Sequence, residues 1–139
     1  MNQNDIIRSI SSSSTFSKII DSWTNNSGIS LKNVSGSYLS FLSCSIIRKQ
    51  SGNHLFILPE KEQALYLFND FENLLADEKG VTLLFYPASY RRPYQIMDSD
   101  PTSILQRTEA IDSLDKKRKT LIIITYPEAI IEKVIEKKQ

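Results

Sequence analysis

The sequence predicts an α/β fold in which a parallel sheet carries helices on both faces. Three observations point there. Continuous apolar runs at residues 54–58, 81–86 and 120–125 read as strands buried on both faces, the mark of a parallel sheet. Helical patterns of about 10–15 residues alternate with them, as βαβ units require. Turn and helix-start signals (Pro59-Glu60, Lys79-Gly80, Tyr126-Pro127) punctuate the runs.

Each element can be argued in order. Residues 1–14 end in Ser11-Ser12-Ser13-Ser14, which has nothing to bury, and are expected to form a loose lead-in to one domain over residues 15–139. Phe16, Ile19, Ile20 and Trp23 fall at i, i+3, i+4 and i+7, one apolar face of a short helix that Asn25-Asn26-Ser27-Gly28 stops. Residues 29–34 (ISLKNV) read as a first short strand, and 39–47 as an apolar helix. After Ser51-Gly52-Asn53 comes the strand at 54–58. A helix over 60–76 follows, with Ala64, Leu65, Leu67, Phe68, Phe71 and Leu75 inward. The strand at 81–86 precedes a proline-rich loop, residues 87–101. A helix over about 102–114 leads into 120–125 (TLIIIT), the most strand-like run. Pro127 suits the first position of a last helix, with Ala129, Ile130, Ile131, Val134 and Ile135 apolar. The pattern is helix, then four βα units. Right-handed crossovers would turn the strand C-terminal ends toward one crevice, where Ser35–Tyr38, Pro59-Glu60, residues 87–94 and Tyr126-Pro127 would lie.

Size and charge exclude several function classes. The chain's 139 residues suffice for one modest core. With 17 basic against 16 acidic residues, no whole-chain footprint for nucleic acid or membrane appears. The N-terminus has no secretory pattern and no run reaches the ~18 apolar residues of a membrane span, so a cytoplasmic domain is expected. Cys44 cannot form an internal disulfide and falls on an apolar helical face, as a small core filler. His54 stands alone at a strand start without metal-spaced partners, so neither a metal site nor a catalytic residue is expected.

The most informative stretch is Ser35-Gly36-Ser37-Tyr38-Leu39-Ser40. It has the layout of a phosphate-binding loop, a small-residue turn between a strand and a helix, whose backbone amides cradle phosphates. A working loop also needs Lys for the outer phosphates, then Ser or Thr for magnesium. Here Leu39 takes the lysine slot and Tyr38 the preceding glycine slot, and only Ser40 keeps its type. The layout survives and the chemistry does not, so no cofactor is expected.

Tyr90-Arg91-Arg92-Pro93-Tyr94 is the most pointed surface feature, two guanidiniums flanked by aromatics at the sheet's functional edge. Such residues serve partner contact or stacked bases. The alternative is a loop stapled by tyrosine packing, with the arginines paired to Asp98 or Asp100. Arg107, in the helix after that loop, either lines the crevice or pairs along its own helix. Lys116-Lys117-Arg118-Lys119 lies at a helix C-terminus, complements its dipole and reads first as a solvated turn, with nucleic-acid contact as the alternative. Glu128, Glu132 and Glu136 alternate with lysines as an ordinary exposed face.

The ordered set NVSGSYLS, HLFILPEKEQALYLFNDFENLL, LLFYPASYRRPYQ, ILQRTEAIDSL and LIIITYPEAIIEKV resembles the N-terminus of bacterial transcription-repair coupling factors (the Mfd family) over about residues 28–137. The pairing of YPASYRRPY with ILQRTE carries most of the specificity. The family's N-terminal module is itself similar to the first domain of UvrB, a damage-verifying subunit of excision repair. UvrB keeps Gly-Lys-Thr where this chain has Tyr38, Leu39 and Ser40. It also carries a long aromatic hairpin for which residues 95–102 leave no room. The resemblance implies a RecA-like, P-loop-derived domain with a degenerate phosphate loop, non-catalytic, acting in transcription-coupled repair by helping recruit UvrA and contacting other domains of its polypeptide. ATP, magnesium, DNA and RNA polymerase would then belong to a longer protein continuing past Gln139. Tyr90, Arg91, Arg92, Tyr94 and Arg107 are the candidate partner contacts. The competing readings are a P-loop-derived helicase domain that still binds ATP and a UvrB-like domain that touches damaged DNA directly.

Overall fold

The computed structural model describes residues 1–89 and 100–134. The chain divides into two compact units, Met1–Ser51 with Asp70–Asp77, and Gly52–Asn69 with Glu78–Gln139. Sequence reasoning had a single domain from residue 15 onward.

The first unit is helical. Its α1 (Gln3–Ser11) occupies the segment expected as a loose lead-in. Asn2 and Asp5 form a reciprocal capping box: the Asp5 amide donates to Asn2 Oδ1 at 3.0 Å and the Asn2 amide to Asp5 Oδ2 at 2.9 Å. This satisfies two of the helix's orphan amides, and Ile7 is buried. Ser13 caps α2 (Ser14–Thr24) by accepting from the Phe16 amide at 3.1 Å. Phe16 and Ile19 of α2 bury against Leu42 of α3 (Ser37–Lys49), with Ile10, Ile20, Val34 and Ile46 around them. Cys44 is fully buried, as a core filler should be. Arg48 donates to Asn4 Oδ1 and to the Leu74 carbonyl, tying α3 to α1 and to the end of α4 (Lys61–Leu74).

Residues 29–34 are not a strand. Ile29 and Leu31 are exposed, and Asn33 takes a left-handed φ of 62°, which breaks an extended run. A short alternating segment makes a strand only where a sheet edge accepts it, and none takes this one.

The second unit holds a three-stranded sheet, β1 (Gly52–Ile57), β2 (Val81–Phe85) and β3 (Thr120–Thr125), in the order β1-β3-β2. Both pairings are parallel, with Phe56, Ile124 and Phe85 in one row and Leu55, Ile123 and Leu84 in the next. The chain is therefore α/β, with three strands among the described residues where the sequence suggested four. The helix α5 (Pro101–Leu114) packs on the row face of Leu84, Leu121 and Ile123 through Ala110. On the other face Phe68 of α4 meets Phe85 edge-on at 5.7 Å between ring centroids. Helices thus flank both faces, as expected.

Central β3 is buried at all six positions, as its unbroken apolar run requires. The outer strand β1 is not. Leu55 is 61% exposed and Ile57 54%, so the expectation of burial on both faces fails there. A continuous apolar run specifies a strand but not how many neighbours cover it. Beside Leu55 an apolar groove of about 340 Å³ opens between β1 and α5. The last helix, α6, starts at Pro127 as predicted but runs only to Ile130.

Candidate functional site

At the C-terminal edge of the sheet the second unit gathers a cluster of side-chain hydrogen bonds, and Arg107 is the hub. Asp100 caps the start of α5, accepting from the Thr102 amide at 3.1 Å, and Pro101 fills the first helical position. Arg107, near the middle of that helix, is then carried over the sheet edge. Its Nη1 donates to the Pro87 carbonyl at 2.8 Å and to the Ala129 carbonyl at 3.0 Å. The same nitrogen lies 3.5 Å from Glu132 Oε2, and the guanidinium carbon sits 4.3 Å over the Tyr86 ring centroid. One side chain therefore holds the exit of β2, the start of α6 and the segment after it.

The surrounding bonds complete the clasp. Glu132 accepts from the Ser89 amide at 2.7 Å and from the Ser89 hydroxyl. Tyr126 lends its phenol oxygen to the Ala88 amide at 2.9 Å, and Thr125 Oγ1 donates to the Tyr86 carbonyl at 2.8 Å. Peptide groups leaving a sheet lose their ladder partners and need others when buried. Here the side chains of residues 107, 125, 126 and 132 supply them. Among the described residues no buried side-chain nitrogen or oxygen lacks a partner.

Arg107 is 7% exposed. It neither pairs along its helix nor stands free to meet a partner: its Nη1 is committed inward. Glu132, expected on an exposed helix face, is the residue that sequence reasoning missed. Nothing in its spacing signals the role, because its partners lie in distant segments. Tyr90, Arg91, Arg92 and Tyr94 fall outside the described residues. What the structure does fix is the root of their loop, at Pro87–Ser89.

The degenerate phosphate loop lies in the first unit, separate from this edge in sequence and unit. Gly36 is the N-cap of α3 with φ 56°, a conformation that favours glycine, and makes no side-chain cap. Ser35, Gly36, Ser37 and Tyr38 are exposed and Leu39 half-buried. Ser40 is buried and donates its hydroxyl to the Asp70 carboxylate. That carboxylate lines a recess with Ser37, Ser40 and Asn73. The one side chain of the loop that keeps its type is thus turned to a carboxylate inside its own unit. With no strand before the loop, the phosphate-cradle layout itself is missing.

His54 is buried in β1. No group of three or more His, Cys, Asp or Glu with metal-binding placement occurs among the described residues. No helix among them is long and apolar enough to cross a membrane.

No family model, curated protein or solved structure matches this chain. Function is therefore argued from the residues and their geometry.

Proposed function

We propose that this chain is a non-catalytic adaptor module of transcription-coupled nucleotide excision repair: the RecA-like, UvrB-related N-terminal part of a transcription-repair coupling factor. It works in the cytoplasm through protein contacts, with UvrA and with other domains of its own polypeptide. The observation that best supports the reading is the Arg107–Pro87 bond. YPASYRRPY and ILQRTE are the two segments whose pairing carries the resemblance, and Arg107 of the second holds the root of the first. Pro87–Ser89, which lead in sequence to Tyr90, Arg91, Arg92 and Tyr94, are thereby held at the strand C-terminal edge, where α/β sheets place ligand-facing loops. A rooted loop loses less entropy on binding a partner.

The non-catalytic half of the reading draws on Leu39, which leaves no cation for phosphate at the lysine slot, and on the lack of a strand before the loop. A domain that still binds ATP through a phosphate loop would need both.

The test uses the full-length polypeptide that carries this chain, with Arg91→Ala and Arg92→Ala combined. Truncating contact arginines at an interface costs more than about 1 kcal/mol when they are hot spots. We expect at least a five-fold weaker association with UvrA or with the neighbouring domains, measured by biolayer interferometry, with ATP turnover retained. Unchanged association would refute the role of the loop; loss of the folded CD spectrum would make the arginines part of the fold instead.

A further inference from the structure

The second unit carries a concentration of positive charge at its other edge, where the strands begin. Lys116, Lys117, Arg118 and Lys119 precede β3, and Lys79 precedes β2; all five are exposed. The two turns lie side by side. The Thr120 amide donates to the Gly80 carbonyl at 3.2 Å, and the Lys119 stem packs so closely on Gly80 that an added Cβ would meet its Cδ at 3.2 Å.

Three features separate this patch from an ordinary solvated turn. First, cations that merely complement a helix dipole sit in its last turn, but the last turn of α5 holds no basic residue and the run follows the Asp115 cap. Second, Arg118 is held in place by neutral groups: Nη1 donates to Thr82 Oγ1 at 2.8 Å and Nη2 to Ser113 Oγ at 3.4 Å. Hydroxyls fix its orientation and leave its charge uncompensated. Third, none of the five cations forms an ion pair among the described residues. Acidic residues stand before both turns (Asp77 and Glu78, Asp112 and Asp115), so the excess lies in the run 116–119, four exposed cations with no acid among them.

We propose that this edge is a docking surface for the phosphate backbone of a nucleic acid, an inference that goes beyond the protein-contact reading and does not depend on it. Residues 116–119 span at most about 10 Å. One strand of a duplex presents a phosphate about every 3.4 Å of axis, so the run faces about three phosphates and Lys79 adds one more. No aromatic side chain borders the four-residue run or Lys79 in sequence, and base stacking needs an aromatic face. The contact is therefore to the backbone, independent of sequence and steep in salt. Neutralising three to four phosphates gives a slope of log K against log[salt] of about −3.

The experiment titrates the 139-residue chain into a fluorescein-labelled 20-base-pair DNA duplex and, separately, an RNA duplex, following anisotropy from 20 to 200 mM salt. Two variants remove the same net charge. Lys116→Ser/Lys117→Ser/Lys119→Ser empties the patch, whereas Lys18→Ser/Lys32→Ser/Lys61→Ser removes exposed lysines elsewhere. Both sets are surface changes, and thermal melts followed by CD verify that each variant folds. We expect the patch variant to bind at least ten-fold more weakly at 50 mM salt, with a slope shallower by about 2, and the control to stay within two-fold. A preference for DNA or RNA names the source of the phosphates. The inference is overturned if the wild-type chain fails to bind at 20 mM salt, or if the patch variant binds unchanged. Equal loss in the control, which means undirected net charge, overturns it too. So does equal binding of poly-glutamate, which means an acidic protein segment.

Discussion

Replacing Arg107 by Met tests the clasp directly, because Met keeps most of the apolar stem and removes every charged bond. Two hydrogen bonds from a guanidinium to buried carbonyls are lost, at 2.8 and 3.0 Å, and bonds to charged groups are each worth about 1.5–3 kcal/mol. The cation over Tyr86 adds about 0.5–1 kcal/mol. Against this, the folded state no longer desolvates a guanidinium, which offsets part of the loss. The ion pair contributes little: it is long at 3.5 Å, and Glu132 is 22% exposed and keeps its Ser89 donors. The balance is a destabilisation of about 2–4 kcal/mol, with the Pro87 and Ala129 carbonyls left to find water. In urea, with a slope of about 1–3 kcal/mol/M, the midpoint should fall by about 1–2 M. Near-UV CD of the tyrosines follows the second unit, whose Tyr86 and Tyr126 border the clasp, while fluorescence of Trp23 reports on the first. A change below 0.5 kcal/mol would mean that Arg107 does no better than water, and the clasp would have no energetic content. The Arg107→Met/Glu132→Gln cycle should show coupling of about 1 kcal/mol or less; a coupling near 4 would show that the carboxylate, not the carbonyls, holds the arginine.

Calorimetric titration with ATP and magnesium should show no binding in the micromolar range, since Leu39 provides no charge at the lysine slot and no strand precedes the loop; micromolar affinity would revive the ATP-binding alternative. Ile124→Ala, at a fully buried position of the central strand, should cost about 2–5 kcal/mol by denaturant titration, and a cost below 1 would show that β3 is not the core of its unit.

The central strand was legible because six β-branched or aliphatic residues in a row have few other places to go, and its bounds at Thr120 and Thr125 match the expectation. The helices α2, α4 and α5 were legible from periodicity, to within two residues at their ends. Three things were not. The helix α1 was hidden behind the serine run, although the Asn2–Asp5 capping box that starts it is readable in the sequence. Residues 29–34 have strand-like alternation but no sheet edge to join, which only tertiary structure decides. The pairing of Arg107 with Pro87, Ala129 and Glu132 joins segments 20 or more residues apart, and a single sequence carries no signal of such distance. Of the two alternatives for Arg107, pairing along the helix was local and is not what the side chain does, whereas crevice lining gave its place at the sheet edge but not its bonds.

The outer strand β1 has a consequence for handling the protein. Its run His54-Leu55-Phe56-Ile57-Leu58 is apolar and uncharged beyond the histidine, rich in strand formers, and open along one edge among the described residues. Segments of that kind template cross-β stacking when chains crowd together during synthesis or refolding. The residues that follow at once, Pro59, Glu60 and Lys61, are gatekeepers: a ring that cannot donate to a growing ladder, then two opposite charges that resist stacking in register. Replacing Glu60 by Gln removes half of that guard, so the refolding yield of the variant should fall while the folded core keeps its stability.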